Sequence, residues 1–299
     1  MSISSNTTLG VTLNVIASML FALMFAYTAL LDVLQGNEIY GWRILLTFPC
    51  LTLFIIVQGQ WSQVQRIYQR IIKNPYFLLT RFVSSALIGV QLWLFMWAPA
   101  NGYGLDVALG YFMMPIAMVV LGAVAFREKM STLQKVSCAF AVIGVLNLLL
   151  ISSSLSWVTL LICLGYPLYF WLRQISQTNN VGGLWFDMIP SLPISLFFII
   201  QGGVLSGDLG TVFHATWLIL GLGLISALAL GFQSLSAPHL NISLFGLLVY
   251  VEPILLLGVA LMLGESIQGT EWLTYIAIWL AVSALCLEAV LHLRKPAIA

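Results

Sequence analysis

Glu252 and Arg43 are the side chains whose placement could do chemistry. Glu252 lies about ten residues into an apolar run, beside Pro253, where a lone carboxylate must be neutral or find a cation. An ionisable group at such depth is expensive to keep and marks function by default. It would couple protons or hold a substrate amine; the structural alternative is a protonated side chain bonded to backbone that Pro253 frees. Arg43 stands five residues after Glu38, too far round a helix for an ideal i,i+4 pair. Its planar fork suits a substrate carboxylate or a gating carboxylate across a bundle, or it could snorkel outward. Asn14 and Gln91 would bond neighbouring helices or ligand. Trp42, Trp93, Tyr111 and Tyr250 complete the candidate substrate-binding set, Trp93 and Tyr250 being nearest midplane depth. Pro115 and Pro253 are candidate hinges, since proline frees a carbonyl that a neighbour or a cavity must satisfy; Pro49, Pro167, Pro190 and Pro193 also interrupt apolar runs. Arg81 is expected to snorkel or to pair with Asp187, and Glu288 to lie at an interface.

Enzyme signatures are missing. His214, His239 and His292 stand near the ends of apolar runs with no HExxH, and there is no GxSxG, P-loop or GxGxxG, so no catalytic residue, metal or cofactor is expected. Lack of a nucleotide-binding loop excludes intrinsic ATP-driven pumping and leaves ion coupling or facilitated passage. Cys50, Cys138, Cys163 and Cys286 sit singly in apolar segments and read as small buried hydrophobes.

The elements that must position these residues follow from composition. Of 299 residues 61% are hydrophobic and 7% charged, against roughly 25% charged in a soluble domain, and the mean hydropathy is +1.04. Such a chain is solvated by lipid, where only helices or closed barrels satisfy the backbone. Its runs of about 20 residues fit helices crossing ~30 Å, not the alternating segments of about 10 in a barrel. Ten spans are expected, at roughly 9–31, 38–58, 76–99, 105–126, 132–151, 155–173, 182–202, 212–234, 243–263 and 272–292. The longest gap, Gly59 to Pro75, carries Trp61, Ile67 and Tyr68 and suggests an interfacial piece. A net charge of +1 with no basic patch argues against nucleic acid. The N-terminus lacks the basic region and cleavage site of a signal peptide, so the first run reads as a retained span.

Cations set the orientation, because short cytoplasmic loops collect Lys and Arg. Nine of the 11, namely Arg66, Arg70, Lys73, Arg127, Lys129, Lys135, Arg173, Arg294 and Lys295, fall on one side of a ten-span chain, which places both termini in the cytoplasm. The opposite loops hold Asp32, Glu38, Asp106, Asp208, Glu265 and Glu271. A loose repeat supports the count. Gly104 to Lys129 carries Pro115 with Glu128 13 residues on, and Leu244 to Glu265 carries Pro253 with Glu265 12 residues on. Five spans per half, 1–151 and 152–299, put the copies in opposite orientations, the inverted-repeat construction of many secondary transporters with a midplane site between halves. Only the second copy has an acid beside its proline; the first has Met114.

Glu38-Ile…Trp42-Arg43, Leu109-Gly-Tyr-Phe-Met-Met-Pro115…Arg127-Glu128-Lys129, Gly165-Tyr-Pro-Leu-Tyr-Phe-Trp-Leu-Arg173 and Phe245-Gly…Tyr250-Val-Glu-Pro253…Gly264-Glu265 resemble the RarD branch of the EamA transporters, in the drug/metabolite transporter superfamily. The resemblance covers nearly the whole chain. It implies an all-α integral membrane protein of ten transmembrane helices in two inverted five-helix repeats, in the bacterial inner membrane. The implied function is a secondary transporter, permease or exporter, of small metabolites such as amino acids, related amphipathic compounds or drugs. The alternative is a passive channel or lipid scramblase. The partners expected are a small-molecule substrate, the lipid bilayer and candidate coupling protons, with the chain a monomer or homodimer. Trp42 and Gln174 depart from the branch pattern, which implies His and a basic residue there.

Overall fold

The computed structural model describes residues 5–28, 30–31, 34–151, 156–202, 209–252, 254–255, 269–270 and 272–293. Every regular element among them is helical, as expected where the backbone must satisfy itself. In order they are α1 (Ser5–Thr28), α2 (Gly36–Val57), α3 (Trp61–Lys73), α4 (Pro75–Ala100), α5 (Gly104–Ala125), α6 (Thr132–Ile151), α7 (Trp157–Ile175), α8 (Val181–Met188), α9 (Ser191–Gln201), α10 (Leu209–Ser236), α11 (Ile242–Leu248) and α12 (Trp272–Leu293), with a 3-10 turn at Ala237–His239.

Among the described residues, six helices are long and apolar enough to cross a membrane, and a seventh span results if α8 and α9, bent by 49°, are one. Shorter apolar stretches, Leu109–Ala125 and Trp272–Glu288, occupy α5 and α12. Large apolar side chains such as Leu53, Val57, Leu79, Val124, Leu150 and Ile200 are exposed, a surface suited to lipid and costly in water. The protein is a multi-pass membrane protein. Of the span expected at 243–263, residues 253 and 256–263 lie outside the described residues, as do Pro253, Gly264 and Glu265.

Side-chain caps set several helix starts. The Asn180 Oδ1 accepts from the Gly183 N–H at 3.0 Å and the Asn241 Oδ1 from the Leu244 N–H at 2.8 Å, each satisfying a first-turn donor. The segment after α2 is the amphipathic α3, which buries Val64 and Ile67 and ends on Arg70 and Lys73. Prolines act unequally. Pro49, Pro115 and Pro167 stand inside continuous helices, while Pro190 sits at the break between α8 and α9.

The core forms where helices distant in sequence pack: α1 on α10, α2 on α9 and α10, α4 on α7 and α8, α5 on α7 and α11, α6 on α12. Glycine permits the α5–α7 approach. A Cβ on Gly110 would lie 2.8 Å from the Ile162 Cβ and 3.2 Å from the Thr159 carbonyl oxygen, and beside it the Thr159 hydroxyl donates to the Asp106 carbonyl at 2.9 Å. Small residues that let backbones meet are the usual glue in lipid. Gly110→Val should therefore destabilise by about 1–3 kcal/mol, the usual range for overpacking. An unchanged melting temperature and yield of monodisperse detergent-solubilised protein would show that α7 can move away freely.

Of the two outcomes expected for Arg81 the structure shows pairing and not snorkelling: it is buried, with its Nη1 3.2 Å from Asp187 Oδ1. Glu288 is buried against α6, where the Gln134 Nε2 donates to its Oε1 at 3.4 Å.

Candidate functional site

A cavity of about 30 Å³ lies where α1, α2, α4, α5, α7, α10 and the segment after α11 converge. Arg43, Tyr111 and Glu252 line it together with Tyr166 and Gln233. Phe21, Phe95, Met114 and Phe170 supply apolar wall. That volume admits about two waters, at 10–15 Å³ each, and is far below the roughly 300 Å³ of a ligand pocket. The conformation is contracted, and a metabolite would need the walls to separate.

Arg43 dominates the electrostatics. It is 1% exposed, projects from the second turn of α2, and its Nε donates to the Ser226 Oγ of α10 at 3.0 Å. Its guanidinium carbon lies 5.5 Å from the Phe95 ring centroid, within cation–π range. Its Nη1 is buried with no hydrogen-bond partner, which is unusual for so strong a donor. Glu252 lines the same cavity from the residues that continue α11, and no ion pair joins it to Arg43 among the described residues. A buried cation with a free N–H group and a buried carboxylate thus share one small polar space. The Tyr111 and Tyr166 hydroxyls lie 3.4 Å apart on its wall.

The remaining candidates stand elsewhere. Asn14 bridges α1 to α10 through the Ser236 Oγ at 3.4 Å. Gln91 donates to the Leu161 carbonyl of α7 at 2.7 Å, over Gly165, where a Cβ would collide with the amide. Trp93 bonds the Asn37 Oδ1 at 3.0 Å and stacks on Trp97 at 4.8 Å, bordering a separate recess between α2, α4 and α9. Trp42 packs on the core with its indole N–H buried and unpaired. The Tyr250 hydroxyl donates to the Phe112 carbonyl at 2.7 Å, in the turn before Pro115, and so ties the residues after α11 to α5. Pro115 is buried within α5, whereas Pro253 lies outside the described residues.

Sequence reasoning did not pick out Phe95, Tyr166, Phe170 or Gln233 as cavity residues. Tyr166 was legible only as one aromatic among many. Among the described residues, no group of three His, Cys, Asp or Glu side chains suited to an ion occurs.

Fold and site are those of a helical membrane protein with a small, partly polar cavity inside an apolar bundle, and its relatives are transporters. The chain is 36% identical to the chloramphenicol-sensitive protein RarD of Pseudomonas aeruginosa, over 96% of this chain and 97% of that one. It is 34% identical to an uncharacterized transporter of Haemophilus influenzae, over 96% of each, and 28% identical to the uncharacterized transporter YojE of Bacillus subtilis, over 93% of each. No family model matches. A solved crystal structure superposes with a TM-score of 0.61 over 98% of this chain and 100% of that one, at 14% identity, a likeness of fold alone. The chain belongs to the RarD-like transporter family.

Proposed function

We propose that the protein is a secondary transporter of small carboxylate-bearing metabolites, amino acids or related amphipathic compounds or drugs, working by alternating access. The observation that carries this is Arg43: a buried guanidinium, held by Ser226 and Phe95, with one N–H group free in a cavity shared with Glu252. A fork of this kind takes a carboxylate. Glu252 then meets a substrate amine or a coupled proton, and the Phe95, Tyr111, Tyr166 and Phe170 walls take an apolar body.

The helix pairing supports two inverted repeats, 1–151 and 152–299, of five spans each. Exchange of first- and second-half equivalents turns the α1–α10 pairing into α7–α4 and the α2–α10 pairing into α8–α4, and returns α2–α9, α5–α11 and α6–α12 to themselves. That is the pattern of a pseudo-two-fold axis, and the cavity lies among the exchanged elements. Rocking of the halves about this axis would expose the cavity to each side in turn, with Pro115 and Pro253 as hinges. The cation distribution supports cytoplasmic termini in a bacterial inner membrane.

Proton coupling through Glu252 predicts that Glu252→Gln in proteoliposomes abolishes acceleration by a pH gradient while retaining counterflow of substrate. Full dependence on the gradient in this variant would remove Glu252 from the coupling role.

A further inference from the structure

Buried charge is not confined to the cavity. Arg81 of α4, Arg173 in the last turn of α7 and Asp187 of α8 meet at one end of the bundle, with Arg81 Nη1 3.2 Å from Asp187 Oδ1 and Arg173 Nε 3.9 Å from Oδ2. Side-chain exposure is 4% or less for all three. The Ser84 Oγ donates to Oδ2 at 2.9 Å. Arg173 also donates to the carbonyls of Thr178 and Asn180 and to the Tyr169 hydroxyl, and Arg81 donates to the Ser176 Oγ at 2.9 Å while its Nε has no partner. Two guanidiniums therefore share one carboxylate out of water, with a donor to spare. Charge buried in this way is costly unless paired, and within a membrane it marks ion or substrate paths.

Its neighbours give it a direction. On one side the loop 176–180 turns its Thr178 and Asn180 carbonyls to Arg173, while Gln174, Gln177, Asn179 and Asn180 line an open pocket of about 410 Å³ with Gln63 of α3. Two acceptors there, Gln174 Oε1 and Asn179 Oδ1, are buried without a partner. On the other side α7 leads from Arg173 and Tyr169 to Phe170 and Tyr166 in the central cavity. Amide-lined pocket, charge cluster and cavity thus follow one another along one helix.

We propose that Arg81 and Arg173 form a second carboxylate-binding site on the path between the amide-lined pocket and the central cavity, and that Asp187 fills it as an internal stand-in that bars the path until a substrate carboxylate replaces it. Resting on the transporter reading above, this adds a waypoint and the gate at that end. Exchange of one carboxylate for another keeps the guanidiniums paired throughout passage. The break between α8 and α9, bent by 49°, gives α8 a place to pivot as it withdraws Asp187.

The test uses the full chain with its four cysteines changed to serine and Met114→Cys as a reporter in the cavity. Asp187→Ala should raise the labelling rate of the reporter by a membrane-impermeant maleimide, applied from the face holding loop 176–180, by tenfold or more. Formate at tens of millimolar should reverse that increase and raise the melting temperature of Asp187→Ala by several degrees, leaving the parent protein unmoved. Asp187→Asn, which keeps the volume, should label as fast if the alanine variant fails to fold. Labelling unchanged in a folded Asp187→Asn variant, or formate acting equally on parent and variant, overturns the proposal. Neither readout needs transport, so this failure is separable from that of the transporter reading, which the Arg43 variants test.

Discussion

Arg43→Met is expected to abolish transport and to leave the protein as stable as before or more so. In the folded protein the guanidinium is buried, bonded by Nε to Ser226 and unpaired at Nη1. A buried charge so poorly compensated lowers stability, and its replacement by an apolar side chain of similar volume is often neutral or stabilising. On the proposed function its value lies in the substrate carboxylate it binds. Loss of one partner from a buried charge-paired contact costs about 2–5 kcal/mol, or roughly 30-fold to several-thousand-fold in substrate affinity. Arg43→Lys keeps the charge but loses the planar fork and should fall between. Initial uptake rates and melting temperatures decide the matter. A variant that transports normally but melts early would make Arg43 a packing residue.

Glu128→Ala is expected to produce the largest loss of stability among the exposed or half-buried positions. Its carboxylate leaves the loop after α5 and accepts from the Ile242 N–H at 2.9 Å, the Ser243 N–H at 2.9 Å and the Ser243 hydroxyl at 2.6 Å. Three donors at the start of α11 are satisfied by one anion placed favourably for the helix dipole. Gly122 makes the room, since a Cβ there would collide with the Glu128 carboxylate and the Ser243 hydroxyl. Hydrogen bonds to a charged group contribute about 1.5–3 kcal/mol each and are not additive, so a loss of about 3 kcal/mol is expected. For a chain of this size that is a fall of about 5 °C in melting temperature. Because α11 runs on to Val249, Tyr250 and Glu252, substrate affinity should fall as well. Glu128→Gln keeps an acceptor and should lose about half as much. A change below 2 °C in Glu128→Ala would mean that water caps α11 equally well.

The helical membrane architecture was legible because apolar length and the scarcity of charge leave few alternatives. The broken span is a matter of degree: Pro190 and Pro193 were visible, but the 49° bend depends on how α8 seats against α4. Arg43 and Glu252 were legible as costly ionisable groups for a thermodynamic reason, that charge is expensive to keep in an apolar bundle, and the structure buries both on one cavity. Tyr111 lines the same cavity, whereas the more deeply buried Tyr250 and Gln91 donate to the carbonyls of Phe112 and Leu161. Sequence cannot separate these outcomes, because which face of a helix looks inward is set by its partners. Arg173 reads as a loop cation, yet carbonyls five and seven residues further on draw it inward. The Arg81–Asp187 pair, 106 residues apart, was legible as one of two outcomes, because two opposite charges at similar depth need each other. Glu128 is visible as the acid closing the first repeated segment, but its work of capping the second, 114 residues on, appears only in three dimensions.

Counterflow is the most direct test of the central claim that this cavity belongs to a carrier and not a channel. Purified protein in proteoliposomes, preloaded with an unlabelled carboxylate-bearing metabolite chosen by thermal-shift screening, should accumulate the labelled compound transiently above its external concentration. Arg43→Met should abolish that overshoot. Saturable counterflow lost in Arg43→Met is the predicted result; flux that never overshoots, or an overshoot undiminished in the variant, would contradict it.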